Sequence, residues 1–141
     1  MRVLVLLLLA ISIQALCYGS DETDSAGKFW TSFRKAVLVN DQAKLLEMTS
    51  FPLDVRGVSD DIPATSYNRR DFPGIFKKIL LQPQYLLVNG RLRTKTMLGL
   101  IYDKATLTKQ DLATPTFFRF HQLEFEKRKG RWFLVRAYLE E

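Results

Sequence analysis

The sequence predicts an α+β fold: two or three N-terminal helices packed on a strongly bent, mainly antiparallel sheet. Three observations carry this. Apolar side chains recur at helical spacing from Lys28 to Met48 and again around Phe76. Beyond Pro83 the period changes to two. Asn89-Gly90 and Lys127-Arg128-Lys129-Gly130 then punctuate the chain as hairpin turns do.

The N-terminus reads as a leader. Arg2 precedes the apolar run Val3 to Ile13, and small residues follow around Ala15, Cys17 and Gly19. This is the pattern of a secretory signal. This run of eleven residues makes about 16 Å of helix at about 1.5 Å per residue, against about 30 Å of bilayer core. The organisation expected is residues 1–19 signal peptide, 20–27 polar tether and 28–141 one α+β domain, exported to the periplasm or the extracellular space. Two alternatives stand beside cleavage. One is retention as an N-terminal anchor. The other is lipid modification of Cys17, which the bulky Leu16 before it disfavours.

Cys17 is the single cysteine, so residues 28–141 can form no internal disulfide and must rest on packing. Ten Phe, five Tyr and two Trp supply the bulk. With one histidine and no Cys/His cluster, no metal site of the usual zinc kind and no cofactor are expected. Basic residues number 21 against 15 acidic; without Arg2 the balance is 20 against 15, or +5. The cations are dispersed over separate clusters, and nucleic-acid binding is not expected.

Each element follows in order. Phe29, Phe33, Ala36, Val37 and Asn40 fall at i, i+4, i+7, i+8 and i+11, with Trp30 beside them, giving a helix with one aromatic face. Asn40 suits a left-handed helix end and Asp41 an N-cap. A second helix over 41–48 follows, using Ala43, Leu45 or Leu46, and Met48. Residues 51–57 alternate as a short strand with Phe51, Leu53 and Val55 on one face and Asp54 away from the core. Pro52 places that strand at an edge or a start. Residues 59–68 read as loop. A third helix is expected over 73–81 with Ile75, Phe76, Ile79 and Leu80 inward, stopped by Pro83.

Residues 85–88 pair across the Asn89-Gly90 turn with a long strand over 91–102. On it Arg91, Arg93 and Lys95 share an outward face, and Leu92, Leu98, Leu100 and Tyr102 occupy the other. Residues 103–115 form a polar connection. Residues 116–126 and 131–139 make a closing hairpin. Phe118 and Phe120 alternate onto the face opposite Leu123 and Phe125, and a β-bulge near His121-Gln122 would bring all four to one side.

The order of these features resembles the nuclear transport factor 2-like superfamily, the cystatin-like α+β cone. The residues that carry the resemblance are Phe29-Trp30-x-x-Phe33, the break at Asn40-Asp41, Leu45-Leu46 and Phe51-Pro52-Leu53 leading to Gly57. Phe72 with Phe76 follows, and Gly130-Arg131-Trp132-Phe133-Leu134 closes the chain. With its leader, the chain looks like an exported bacterial member. The resemblance implies a sheet wrapped around the long helix and an apolar pocket at the open end of the cone. Some members are isomerases or dehydratases, and many bind small ligands or proteins. Catalytic members need a pocket carboxylate or a His–Asp pair with a Tyr or second acid, and no residue here aligns with those positions.

Two functional classes stay open. The first is an exported binding module for a small apolar ligand or an acidic protein, with Arg91, Arg93 and Lys95 as the partner-binding row and no catalysis. The second is a small isomerase- or dehydratase-like enzyme using His121, or Asp103 beside Tyr102. An ionisable group deep in an apolar pocket, with a second polar group in reach, would separate them. Oligomeric state is left open, a dimer included.

Overall fold

The computed structural model describes residues 18–57 and 59–140, so the expected leader lies almost wholly outside the described residues. Helix α1, Tyr18–Leu38, begins earlier than the aromatic pattern indicates: residues 20–27, expected as a tether, are helical. Ala26 explains the extension, because it is fully buried and continues the inward face of Trp30 and Phe33 by one turn. The helix ends as Asn40 requires. With φ at 55°, Asn40 donates its N–H to Val37 O, and the Asp41 N–H reaches Ala36 O at 2.8 Å. The two bonds form a Schellman closure. Asp41 then caps α2, Gln42–Glu47, by accepting from the Lys44 N–H. Leu45 and Met48 are buried, whereas Ala43 faces solvent.

The main sheet has six strands in the order β2-β1-β8-β7-β6-β5. They are β1 Thr49–Arg56, β2 Thr65–Tyr67, β5 Leu112–Thr114, β6 Phe117–Phe120, β7 Leu123–Arg128 and β8 Arg131–Tyr138. All neighbours are antiparallel except β1 and β8, which run parallel. Strand β1 is therefore interior to the sheet, not an edge as Pro52 suggested. Its register with β8 shifts between Thr49 and Asp54, and Pro52 lies in that interruption. A second shift between Glu124 and Phe125 on β7 leaves Val135 of β8 unpaired and bends the sheet further.

Two expectations are corrected in the C-terminal half. Residues 116–126 do not form one bulged strand: β6 and β7 are separate antiparallel strands joined by the two-residue turn His121-Gln122, with His121 at φ 50°. The turn does what the bulge was to do, since Phe118 pairs with Phe125 and Phe120 with Leu123 on one face. Nor do residues 91–102 form one strand. Among the described residues strand β4, Arg91–Thr96, pairs with β3, Pro83–Val88, alone, and the chain then enters α4, Met97–Asp103. Thr96 caps α4 by accepting from the Gly99 N–H. Met97, Leu100 and Ile101 are spaced for one helical face, and all three are buried.

The sheet curls around α1, and the space between them is filled with rings. Trp132 lies 5.3 Å from Phe118, which stacks on Phe125 at 4.6 Å. Phe125 meets Phe33 edge-on at 5.1 Å, and Phe33 meets Phe76 at 6.3 Å. Phe76 stacks on Phe72, which meets Phe51 edge-on at 5.5 Å. Helix α3, Phe72–Leu81, thus continues the same aromatic array. Trp30 is fully buried and donates from Nε1 to Lys104 O at 2.8 Å, pinning the long connection after α4. The Lys104–Asp111 pair and the Thr108 capping box fix the rest of that connection.

Candidate functional site

The aromatic array fills the space between α1 and the sheet. The apolar opening lies instead on the helical side. Val37 and Leu38 at the end of α1, Leu80 and Leu81 of α3, and Leu98 of α4 surround a groove of about 560 Å³ floored by Phe76. Val37 and Phe76 are buried, while Leu81 remains 54% exposed at the rim.

Three polar side chains border this groove: Asn40, Gln42 and Lys77. Gln42 Nε2 donates to Asn40 Oδ1 at 2.6 Å, which leaves Gln42 Oε1 buried without a partner. Lys77 is exposed. No carboxylate or histidine among the described residues lines the groove, and Lys77 is its one ionisable group. The groove offers an apolar channel and one cation. A larger cleft of about 670 Å³ runs between α1 and residues 106–109, but hydroxyls and the Asp24–Lys28 ion pair border it and it opens to solvent. We take the smaller groove as the candidate site, because an apolar lining with few convergent polar groups is what small-ligand sites require.

The residues singled out in the sequence lie elsewhere. His121 stands in the β6–β7 turn. Its ring packs edge-on against Phe120 at 4.8 Å, and its backbone carbonyl accepts from Arg119 Nε at 2.7 Å. The ring reaches solvent on one side, yet its partial burial, with the Arg119 charge adding to it, holds its pKa below the ordinary value. No carboxylate orients it among the described residues. Asp103 closes α4 and pairs with Lys95. Tyr102 is 65% exposed beneath the Arg34 guanidinium, 5.9 Å from the ring centroid. The structure thus joins Asp103 to Lys95 and Tyr102 to Arg34, and connects neither to His121.

Arg91, Arg93 and Lys95 are exposed on β4, as expected, but not on the main sheet. The β3–β4 hairpin stands apart, with both of its faces partly bare. The Leu87–Leu92 and Tyr85–Thr94 pairs make one face, and Val88–Arg91, Leu86–Arg93 and Gln84–Lys95 make the other. Tyr85, Leu87 and Leu92 are 64%, 76% and 68% exposed.

Glu124 went unrecognised in the sequence. It is buried on the outer face of the main sheet, where it accepts from Arg136 Nη1 at 2.9 Å and from Tyr138 OH at 2.8 Å. Burial of the Arg136 guanidinium opposes its charge, but the hydrogen bond and charge of Glu124 outweigh this and raise its pKa. Register places Arg119, Glu124, Arg136, Asp54 and Ser66 in one row across five strands. That row is an alternating ladder holding the sheet. The signal for it was Glu124 alternating with Leu123 and Phe125, but the partners lie on other strands and only topology reveals them.

No protein-family model matches the chain, and no curated protein matches it. A solved structure whose title begins Rd1NTF2_05 shares 13% identity at a TM-score of 0.34, covering 84% of this chain and 96% of that one. Among the described residues the architecture is α+β, with helices packed on a curved mixed sheet. No helix among the described residues is long and apolar enough to cross a membrane, and no group of His, Cys, Asp or Glu among them could hold a metal ion.

Proposed function

We propose that this chain is an exported binding module, built as a nuclear transport factor 2-like cone, which holds a small apolar ligand in the groove between α1, α3 and α4. The observation that carries the reading is the lining of that groove. Aliphatic side chains and Phe76 form its walls, and its polar groups are two neutral amides and Lys77. Such a site binds by burying apolar area and orients its ligand through few contacts. Lys77 suits an anionic head group. A ligand with a hydrocarbon body and an anionic end suits both the apolar walls and that cation.

Titration with a fluorescent long-chain fatty acid tests this. Saturable binding is expected in the wild type and is lost in Leu81→Glu, which places a charge on an exposed rim position and leaves the core untouched. Equal binding by both proteins would overturn the assignment of the groove.

A further inference from the structure

We propose that the free edge of β4 docks an extended acidic segment of another protein by strand addition, with Arg91 and Arg93 reading its charge. The inference is independent of the groove. Strand β4 has β3 as its one strand neighbour among the described residues, so its outer backbone edge has no strand against it. An edge of this kind is a template for a further strand.

The side chains specify what that strand must be. Lys95 is already engaged by Asp103. Arg91 and Arg93 have no ionic partner among the described residues and lie on one face of the hairpin, while Leu92 lies on the other with Leu87 and Tyr85. A strand laid along β4 continues both faces. It would set acidic side chains beside Arg91 and Arg93 and apolar ones beside Leu92, which is a period-two alternation of acid and hydrophobe. The same cations exclude a second copy of this chain. Antiparallel pairing of β4 with itself would bring Arg91, Arg93 and Lys95 against one another, and like charges directly opposite destabilise a ladder. Strand β3 is the poorer edge, because Pro83 lacks an N–H and Gln84 is held to the body by Gln122.

The test uses the full chain and a synthetic peptide alternating Glu with Val and Leu. Binding followed by hydrogen exchange should add protection to those alternate amides of residues 91–96 that point away from β3. Arg91→Glu with Arg93→Glu should weaken binding about tenfold or more, since two exposed pairs are removed and two repulsions installed. Methylating the peptide amides along one edge, at unchanged charge, should abolish binding. Undiminished binding of the methylated peptide would overturn strand addition. Equal binding of a Lys-for-Glu peptide would overturn the charge reading. Association with phosphatidylglycerol vesicles, or self-association that the double substitution abolishes, with no peptide binding, would assign the edge to a membrane or to a second copy and overturn the proposal.

Discussion

The β6–β7 and β3–β4 hairpins share a design and differ in fate. Both are antiparallel pairs joined by two-residue turns whose first residue has positive φ, His121 in one and Asn89 in the other. Both alternate apolar with charged side chains. In the first, α1 lies across the apolar face, and Phe118, Leu123 and Phe125 are fully buried. In the second nothing among the described residues covers the apolar face, and Leu87 and Leu92 remain bare. Alternation supplies a two-faced ribbon. Whether a face becomes core depends on another element arriving to cover it.

Substitutions should expose that difference. Trp30→Ala or Phe125→Ala empties the array between helix and sheet and should cost about 3–5 kcal/mol, measured by chemical denaturation. Leu87→Ala and Leu92→Ala should change stability by no more than about 0.5 kcal/mol. A loss of several kcal/mol at Leu92 would mean that the hairpin face is covered after all.

Next in size is Glu124→Ala. It leaves Arg136 half-buried without its acceptor and should cost about 1–3 kcal/mol, with Tyr138→Phe costing less because one hydrogen bond goes and no charge is stranded. Thr96→Ala removes the α4 cap and should cost about 1 kcal/mol. Were residues 97–102 strand, as their alternation suggested, this substitution would have no cap to remove.

The smallest effect is titration. Folding favours the neutral form of His121, so the folded chain binds fewer protons than the unfolded one below the ordinary histidine pKa of about 6.5. This contribution to stability is complete above that pH and fades as pH falls through the lowered value. His121→Gln should flatten the melting temperature between about pH 7 and pH 5. An unchanged slope would show that the ring sits in ordinary solvent.

The same contrast governs how much of the fold is legible in the sequence. The aromatic helix, the Asn40 stop, the Asp41 cap and the α3 face were legible because each is decided within a turn or two of helix. The burial of Trp30 was legible for the same reason, since it sits beside the aromatic face of that helix. The extent of the strand after Asn89-Gly90 was not. Met97, Leu98, Leu100 and Ile101 fit a helix as well as Leu98, Leu100 and Tyr102 fit a strand, and the Thr96 cap tips the balance. The turn at His121 resisted a local reading too. A bulge and a tight turn both bring Phe118 and Phe125 to one side, and only the pairing partner distinguishes them. The groove was illegible because its walls come from three helices distant in sequence, and the aromatic residues that suggested a pocket fill the interior instead.

The parallel pairing of β1 with β8 has a temporal consequence. Asp54 takes its neighbour from Arg136 and Val55 from Ala137, near the opposite end of the described chain. Ordering such a contact means closing a loop of most of the sequence, and folds dominated by distant pairings form slowly. Helices α1 to α3 can therefore appear early, but β1 has only the short β2 beside it until the last strand has been made. Until then Leu53 and Val55 lack the strand that later flanks them. The stretch from Phe51 to Val55 is thus among the last to gain its partners, although in the finished molecule it lies inside the sheet.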